Sequence, residues 1–267
     1  MEKLGTFPFG EPNRKVVQKD RTPKKAFVLG VYASAVHCIW KAADHHILVR
    51  AMAVASEPEL FWTGNPYEAK EILRSIKVPE EAGYVRYPGR LLNGPVGRSL
   101  DIDILRPLNL PRKEIWLCYL VPYHLSNKGQ RKALRKYQRF KQPYNLPDAE
   151  IYPTNKKQEF LNEERIEEII KEIDESASEY IITLGDEPLL HFIRLFNPEI
   201  LKLNGFKEYG QLHNIKIRDK EYRLLPLIHP KQAGKIGSHT ERWLSKHNRW
   251  VNEKAKEISN LIRGISQ

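Results

Sequence analysis

The stretch from Asn162 to Gly185 constrains this chain more than any other part of it. Ile166, Ile169, Ile170 and Ile173 recur at helical spacing, with Glu163 and Glu164 in the opening turn, where the helix dipole favours negative charge. Tyr180-Ile181-Ile182-Thr183-Leu184 follows almost at once, an apolar run of strand length that Gly185 ends. A helix leading directly into a wholly apolar strand is the pattern of a parallel sheet covered on both faces. Three more runs fit it: Ala26-Phe27-Val28-Leu29 ended by Gly30, Glu114 to Val121 stopped by Pro122, and Tyr222 to Ile228. The expected fold is α/β, a three-layer αβα sandwich with a central, mainly parallel sheet of about four strands.

The remaining chain gives weaker signals. His46 to Ala55 is a further apolar run, and Glu68 to Ser75 reads as a helix. Tyr84 to Arg98, rich in Gly, Pro and Arg, reads as loop. Asp186 is placed to cap a helix that tolerates Pro188 in its first turn. Trp243 to Ile262 reads as one long helix. With no internal repeat or low-complexity tract, residues 1–267 read as a single domain, with Met1 to Lys24 as an arm packed on it.

Charge and composition narrow the function classes. Lys and Arg number 44 against 33 Asp and Glu, a formal charge of +11, which favours a polyanion or fits a soluble protein that is merely basic. The unmixed segment from Lys128 weighs between these. Lys128, Arg131, Lys132, Arg135, Lys136 and Arg139 share one helical face, Ala133, Leu134, Tyr137 and Phe140 lie away from it, and no acidic residue occurs before Pro143. Solubility needs only mixed signs, so this stripe favours phosphate contact. A second basic set follows His229: Lys231, Lys235, Arg242, Lys246 and Arg249, with Gln232 among them. Trp243 and Trp250 read as core. Cys38 and Cys118 sit in apolar surroundings and read as reduced, buried thiols; two cysteines cannot build a four-cysteine cluster. No signal core or membrane-length apolar run is present, so a cytoplasmic, monomeric protein without metal or cofactor is expected.

Three segments carry candidate chemistry. Gly30-Val31-Tyr32-Ala33-Ser34-Ala35-Val36-His37 follows the first strand, where small residues suit either an ordinary corner or a ligand loop. Ile115 to Asn127 delivers Tyr119 towards the same sheet edge, although buried Tyr is more often core. His229-Pro230 ends the last strand, where a His held by Pro can donate to a developing anion or simply pack in its loop.

In this order and spacing the three segments resemble the uracil-DNA glycosylase superfamily, over about residues 24 to 255. The resemblance implies a glycosylase that flips a base out of DNA and cuts its bond to the sugar, leaving an abasic site. It implies that Gly30 to Ser34 form the water-activating loop, that Tyr119, with Val31, His37 and Asn127, borders the base, and that His229 stabilises the departing base. Three positions depart from the family pattern. Tyr32 stands where many members carry a water-activating acid or amide, Tyr119 where many carry a uracil-reading Asn, and Ser34 where uracil-specific members carry a blocking Tyr. The last departure opens room for a bulky 5-substituted pyrimidine, such as the glucosylated hydroxymethylcytosine that antiphage members remove. Glu57, in Ala55-Ser56-Glu57-Pro58, is the first candidate to replace the missing acid, ahead of Asp101 and Asp103. A binding-only member of the same fold, and a uracil-excising repair enzyme, are the alternatives.

Overall fold

The computed structural model describes residues 5–200, 202–237 and 239–264. In chain order the strands are β1 (Ala26–Ala33), β2 (Ala35–Lys41), β3 (Ile47–Ser56), β4 (Tyr84–Arg86), β5 (Ile115–His124), β6 (Tyr180–Leu184), β7 (His213–Ile217) and β8 (Lys220–Leu227). The longer helices are α1 (Pro66–Ser75), α2 (Lys128–Arg139), α3 (Glu163–Ser176), α4 (Glu241–Glu253) and α5 (Ala255–Arg263). The chain groups into two compact units. Unit one holds Met1–Val16, Tyr32–Pro95 and Val121–Phe160; unit two holds Val17–Val31, Val96–Leu120 and Leu161–Gln267.

The five-stranded sheet runs in the order β5-β1-β6-β8-β7, mostly parallel and flanked by helices, which is the α/β layering the sequence implies. Phe27 pairs with Ile181 and Ile182 with Leu225 in parallel register, and these side chains are fully buried. Such strands are apolar throughout because helices cover both faces. The fifth strand, β7, is an antiparallel edge that pairs Ile215 with Tyr222; its alternating His-Asn-Ile-Lys-Ile pattern is too short and too polar to stand out in the sequence.

Unit one carries a three-stranded antiparallel sheet, β3-β2-β4, with α1 and α2. Trp40 of β2 is fully buried in its core, as is Trp62. Trp40 lies within ring-contact distance of Phe9, Tyr137, Phe140 and Tyr144, so the apolar face of α2 is spent on this core.

Several boundaries differ from those expected. β1 does not stop at Gly30 but runs on to Ala33, because Gly30 takes extended backbone and Val31 and Ala33 continue the buried pattern. β5 passes through Pro122 to His124. As an edge strand it tolerates a residue without an N–H, and the Pro122 carbonyl accepts from the Val16 N–H at 2.8 Å. The expected loop from Tyr84 to Arg98 contains β4 and a short helical turn, Pro95–Ser99. The expected long C-terminal helix is broken at Lys254, whose φ of −124° leaves the helical region between α4 and α5. Asp186 does not cap the helical turn that begins with it; its carboxylate instead accepts from the Leu203 N–H at 2.8 Å. Of the expected N-terminal arm, Met1 to Leu4 lie outside the described residues, and Thr6 bridges to Pro12 and Glu150. No helix among the described residues is long and apolar enough to cross a membrane.

Candidate functional site

In unit two, β8 delivers His229 at its carboxyl end, where open parallel sheets bind ligands. Pro230 restricts His229 to extended backbone, φ −63° and ψ 140°, and opens the short helical turn Pro230–Ala233. The His229 Nδ1 accepts from the Lys231 N–H at 3.0 Å. In neutral imidazole one nitrogen accepts and the other donates, so this bond places the hydrogen on Nε2, which has no hydrogen-bond partner among the described residues. Burial of the ring, helped by the neighbouring Lys231 cation, holds the His229 pKa down at about 4. The ring is therefore an uncharged donor at neutral pH.

The surroundings fix that ring. Gly185, at φ +90°, ends β6 and donates its N–H to the Leu227 carbonyl at 2.8 Å. A side chain at Gly185 would start 3.3 Å from the His229 Cβ in a backbone conformation that only glycine adopts freely, so the two strand ends meet because this position is Gly. On the other side, Tyr209 Oη accepts from the Ile228 N–H at 3.0 Å and lies 2.7 Å from His247 Nδ1, while His247 Nε2 lies 2.9 Å from the Asp103 carbonyl. With Nε2–H donating to that carbonyl, Nδ1 accepts from the tyrosine hydroxyl, so one directional chain runs from the residue before His229 into α4. Ser99 Oγ lies 2.6 Å from both the Pro230 carbonyl and the Asp103 carboxylate, and its single hydroxyl hydrogen serves one of these two acceptors at a time. Tyr209, Ser99 and this use of His247 give no sequence signal, since each acts through a partner far along the chain.

In unit one the structure brings Ser34 and Glu57 together across 23 positions of sequence: the Ser34 N–H donates to Glu57 Oε1 at 2.9 Å. The Trp62 N–H approaches Oε2 at 3.3 Å, and the carboxylate is buried, with Glu57 3% exposed. Ser34 is the single residue between β1 and β2, so the expected water-activating loop is a strand-to-strand junction, with Gly30, Val31 and Tyr32 inside β1 and His37 inside β2. The His37 N–H donates to Asn93 Oδ1 at 2.8 Å, Asn93 Nδ2 donates back to the His37 carbonyl at 3.1 Å, and Gln130 Nε2 lies 3.0 Å from His37 Nε2. Asn93, fully buried, and Gln130 are missed by sequence reasoning for the same reason as Tyr209.

Tyr119 lies in β5 of unit two at 3% exposure, a core position. Arg165 of α3 donates to the Tyr119 and Leu120 carbonyls at 2.6 and 3.1 Å. Asn127 caps α2 in a reciprocal capping box with Gln130, so its side chain is committed to the Gly129 and Gln130 N–H groups. Asp101 pairs with Arg112 at 2.7 Å.

The basic stripe falls on α2 as expected. Lys128, Lys132, Arg135, Lys136 and Arg139 are exposed and have no carboxylate partner among the described residues, while Arg131 is half-buried and donates to the Ser126 carbonyl at 3.3 Å. In unit two Lys231, Lys235 and Arg242 are exposed. Gln232 instead braces the segment ahead of α4, exchanging two hydrogen bonds with the Thr240 backbone at 3.0 and 3.1 Å. Trp250 is buried and donates to the Gly210 carbonyl; Trp243 is half-buried beneath the Lys246 ammonium. Both cysteines are free and buried. No protein-family model matches the chain, and no curated protein matches it.

Proposed function

We propose that this chain is a DNA N-glycosylase. One observation carries the reading: His229 stands at the carboxyl end of a central strand as a neutral imidazole with its Nε2–H unspent. Cleavage of an N-glycosidic bond sends the bonding pair to the departing base and leaves an oxocarbenium-like sugar, to which water adds with loss of a proton. A fixed donor aimed at the base lowers the barrier because the base gains its negative charge only as the bond breaks. A neutral ring also avoids attracting the phosphates non-selectively. The unpaired cations of α2 supply the grip on the DNA backbone, which is sequence-independent and weakened by salt.

The preferred base is a pyrimidine with a bulky 5-substituent, such as glucosylated hydroxymethylcytosine. This finer reading rests on the resemblance, which sets Ser34 where uracil-specific relatives carry Tyr. The test is incubation with DNA carrying uracil, cytosine, hydroxymethylcytosine or its glucosylated form, followed by mass spectrometry of released base. Release of a modified base that His229→Ala abolishes is the expected result. Absence of release from every substrate refutes the glycosylase reading, and efficient release of uracil alone refutes the modified-base preference.

A further inference from the structure

Between the helical turn at Leu100–Leu105 and the start of β5, unit two folds back on itself and leaves a groove. The Arg106 N–H donates to the Asp101 carbonyl at 3.0 Å, and the Leu110 N–H returns to the Leu105 carbonyl at 3.0 Å. The chain reverses at Asn109, whose φ is +50°; Asn is one of the few residues besides Gly that take this left-handed backbone readily. Pro111 then leads into the short turn Arg112–Glu114 and β5. Leu105, Arg106, Asn109, Leu110, Pro111 and Arg112 line the groove, whose volume is about 740 Å³ with its open mouth included. Neither His229 nor any residue of α2 lines it.

The charges on its wall are not balanced. Asp101, also on the wall, is committed to Arg112, whose Nε–H donates to Oδ1 at 2.7 Å. Arg112 also reaches the Gly97 carbonyl through Nη2 at 3.4 Å, so its guanidinium is held from two sides. Arg106 is exposed, and its guanidinium has no partner among the described residues. The Asn109 amide is likewise unpaired among them, while the Asn109 carbonyl accepts from Arg263 Nη1 at 2.9 Å, which pins the turn. Leu105 and Leu110, both buried, and the exposed Pro111 supply apolar wall. A single exposed arginine is ordinary on a protein surface. This one shares a concave, partly apolar groove with a second, fixed guanidinium and an unspent amide.

We infer that this groove binds a small organic anion, a phosphate ester carried on a flat ring and about the size of a nucleoside monophosphate. The inference goes beyond the glycosylase reading and uses none of its residues. A guanidinium presents parallel N–H donors that match two phosphate oxygens, and an unpaired one has them to give. The Asn109 amide offers a donor and an acceptor to the phosphate or to a ring edge. The volume lies in the range of small-molecule sites, about 300–1,000 Å³, and inorganic phosphate would leave most of it unfilled. The leucine and proline wall gives the ring an apolar surface to cover. A DNA strand fits less well, because a polymer is gripped by a row of cations, such as α2 presents, and not by one unpaired guanidinium among apolar side chains.

The experiment titrates the full chain with adenosine 5′-monophosphate, uridine 5′-monophosphate, adenosine and inorganic phosphate at low salt, and reads binding by ligand-observed NMR. Wild type is compared with Arg106→Gln, Asn109→Ala and His229→Ala. The Arg106 side chain is exposed and unpaired among the described residues, so Arg106→Gln should keep the wild-type melting temperature. At least one monophosphate should saturate wild type, with adenosine and inorganic phosphate each about tenfold weaker. Arg106→Gln should weaken the monophosphate about tenfold, the scale of one charge-assisted hydrogen-bond pair near the surface, and Asn109→Ala by several-fold. His229→Ala should bind as wild type does. Absence of saturation by either monophosphate up to about 10 mM, or equal binding by wild type and Arg106→Gln, would overturn the inference. Loss of binding in His229→Ala would move the ligand to the carboxyl end of β8 and overturn it too. Inorganic phosphate binding as tightly as the monophosphates would reduce the groove to a simple anion contact. Tighter, Arg106-dependent binding of a 5′-phosphorylated oligonucleotide would replace the small ligand with a DNA end. Base release has no part in the readout, so failure of the glycosylase reading leaves this test unaffected.

Discussion

Acidification should destabilise this protein well before its carboxylates titrate. His37 and His124 are buried in unit one, and burial lowers their pKa values to about 4 and about 3. Among the described residues His37 Nδ1 and His124 Nε2 have no hydrogen-bond partner, so nothing there offsets the cost of a charge at either atom. The fold thus keeps both rings neutral, whereas the unfolded chain protonates them below their ordinary value of 6.5. The unfolded state then binds more protons, and stability rises with pH across the window from about 4 to 6.5. Stability from these groups is complete above 6.5 and is lost as pH falls. At pH 5 each ring contributes a loss of about 2 kcal/mol, so the pair removes about 4 kcal/mol from a total that is typically 5–15. His213 and His247 are shifted in the same direction by burial and add to the effect. The lowered carboxylates, Asp20, Asp44 and Glu114, also lose stabilisation as pH falls, but only from the acid end of this window downward, below their ordinary values of 3.8 and 4.5. The assay is urea unfolding at pH 7.5, 6.5, 5.5 and 5.0. The His37→Gln, His124→Gln double variant should flatten the dependence by nearly two protons' worth of slope. A wild-type stability that stays level from pH 7.5 to 5, or a slope the double variant leaves unchanged, refutes the reasoning.

Three further outcomes follow from the geometry. His229→Ala should lower base release by about 100- to 1000-fold and leave DNA affinity unchanged, as measured by single-turnover kinetics and anisotropy. Replacing Lys132, Arg135 and Arg139 together by Ala should reduce the slope of log affinity against log salt by up to about 3, since each phosphate contact contributes roughly 0.9, without changing the melting temperature by more than a degree or two. Glu57→Ala should lower unfolding stability by about 2–4 kcal/mol, because the Ser34 and Trp62 N–H groups lose a buried acceptor, whereas Glu57→Gln should recover part of it; chemical denaturation distinguishes the two.

The sequence by itself determined the layered α/β arrangement and the ends of its clearest elements. Ile169, Ile170 and Ile173 fix the inner face of α3, Gly185 stops β6, and the strict segregation of charge in α2 follows from the 3.6-residue period alone. These features are local, so they are written in neighbouring residues. Local patterns also misled where an unseen partner decided the outcome. Gly30 and Pro122 read as stops, yet each continues a strand, because extended backbone suits Gly30 and the edge of the sheet needs no N–H from Pro122. Asn127 read as a pocket residue, but its side chain serves the first turn of α2. Tertiary structure alone decided the tautomer of His229, the Tyr209–His247 chain beside it, the pairing of Ser34 with Glu57, and the double use of His37 by Asn93 and Gln130. Each of these joins polar groups whose burial requires a partner, and the partner is chosen by where the backbone brings an atom within about 3 Å, which no residue records in its own neighbourhood.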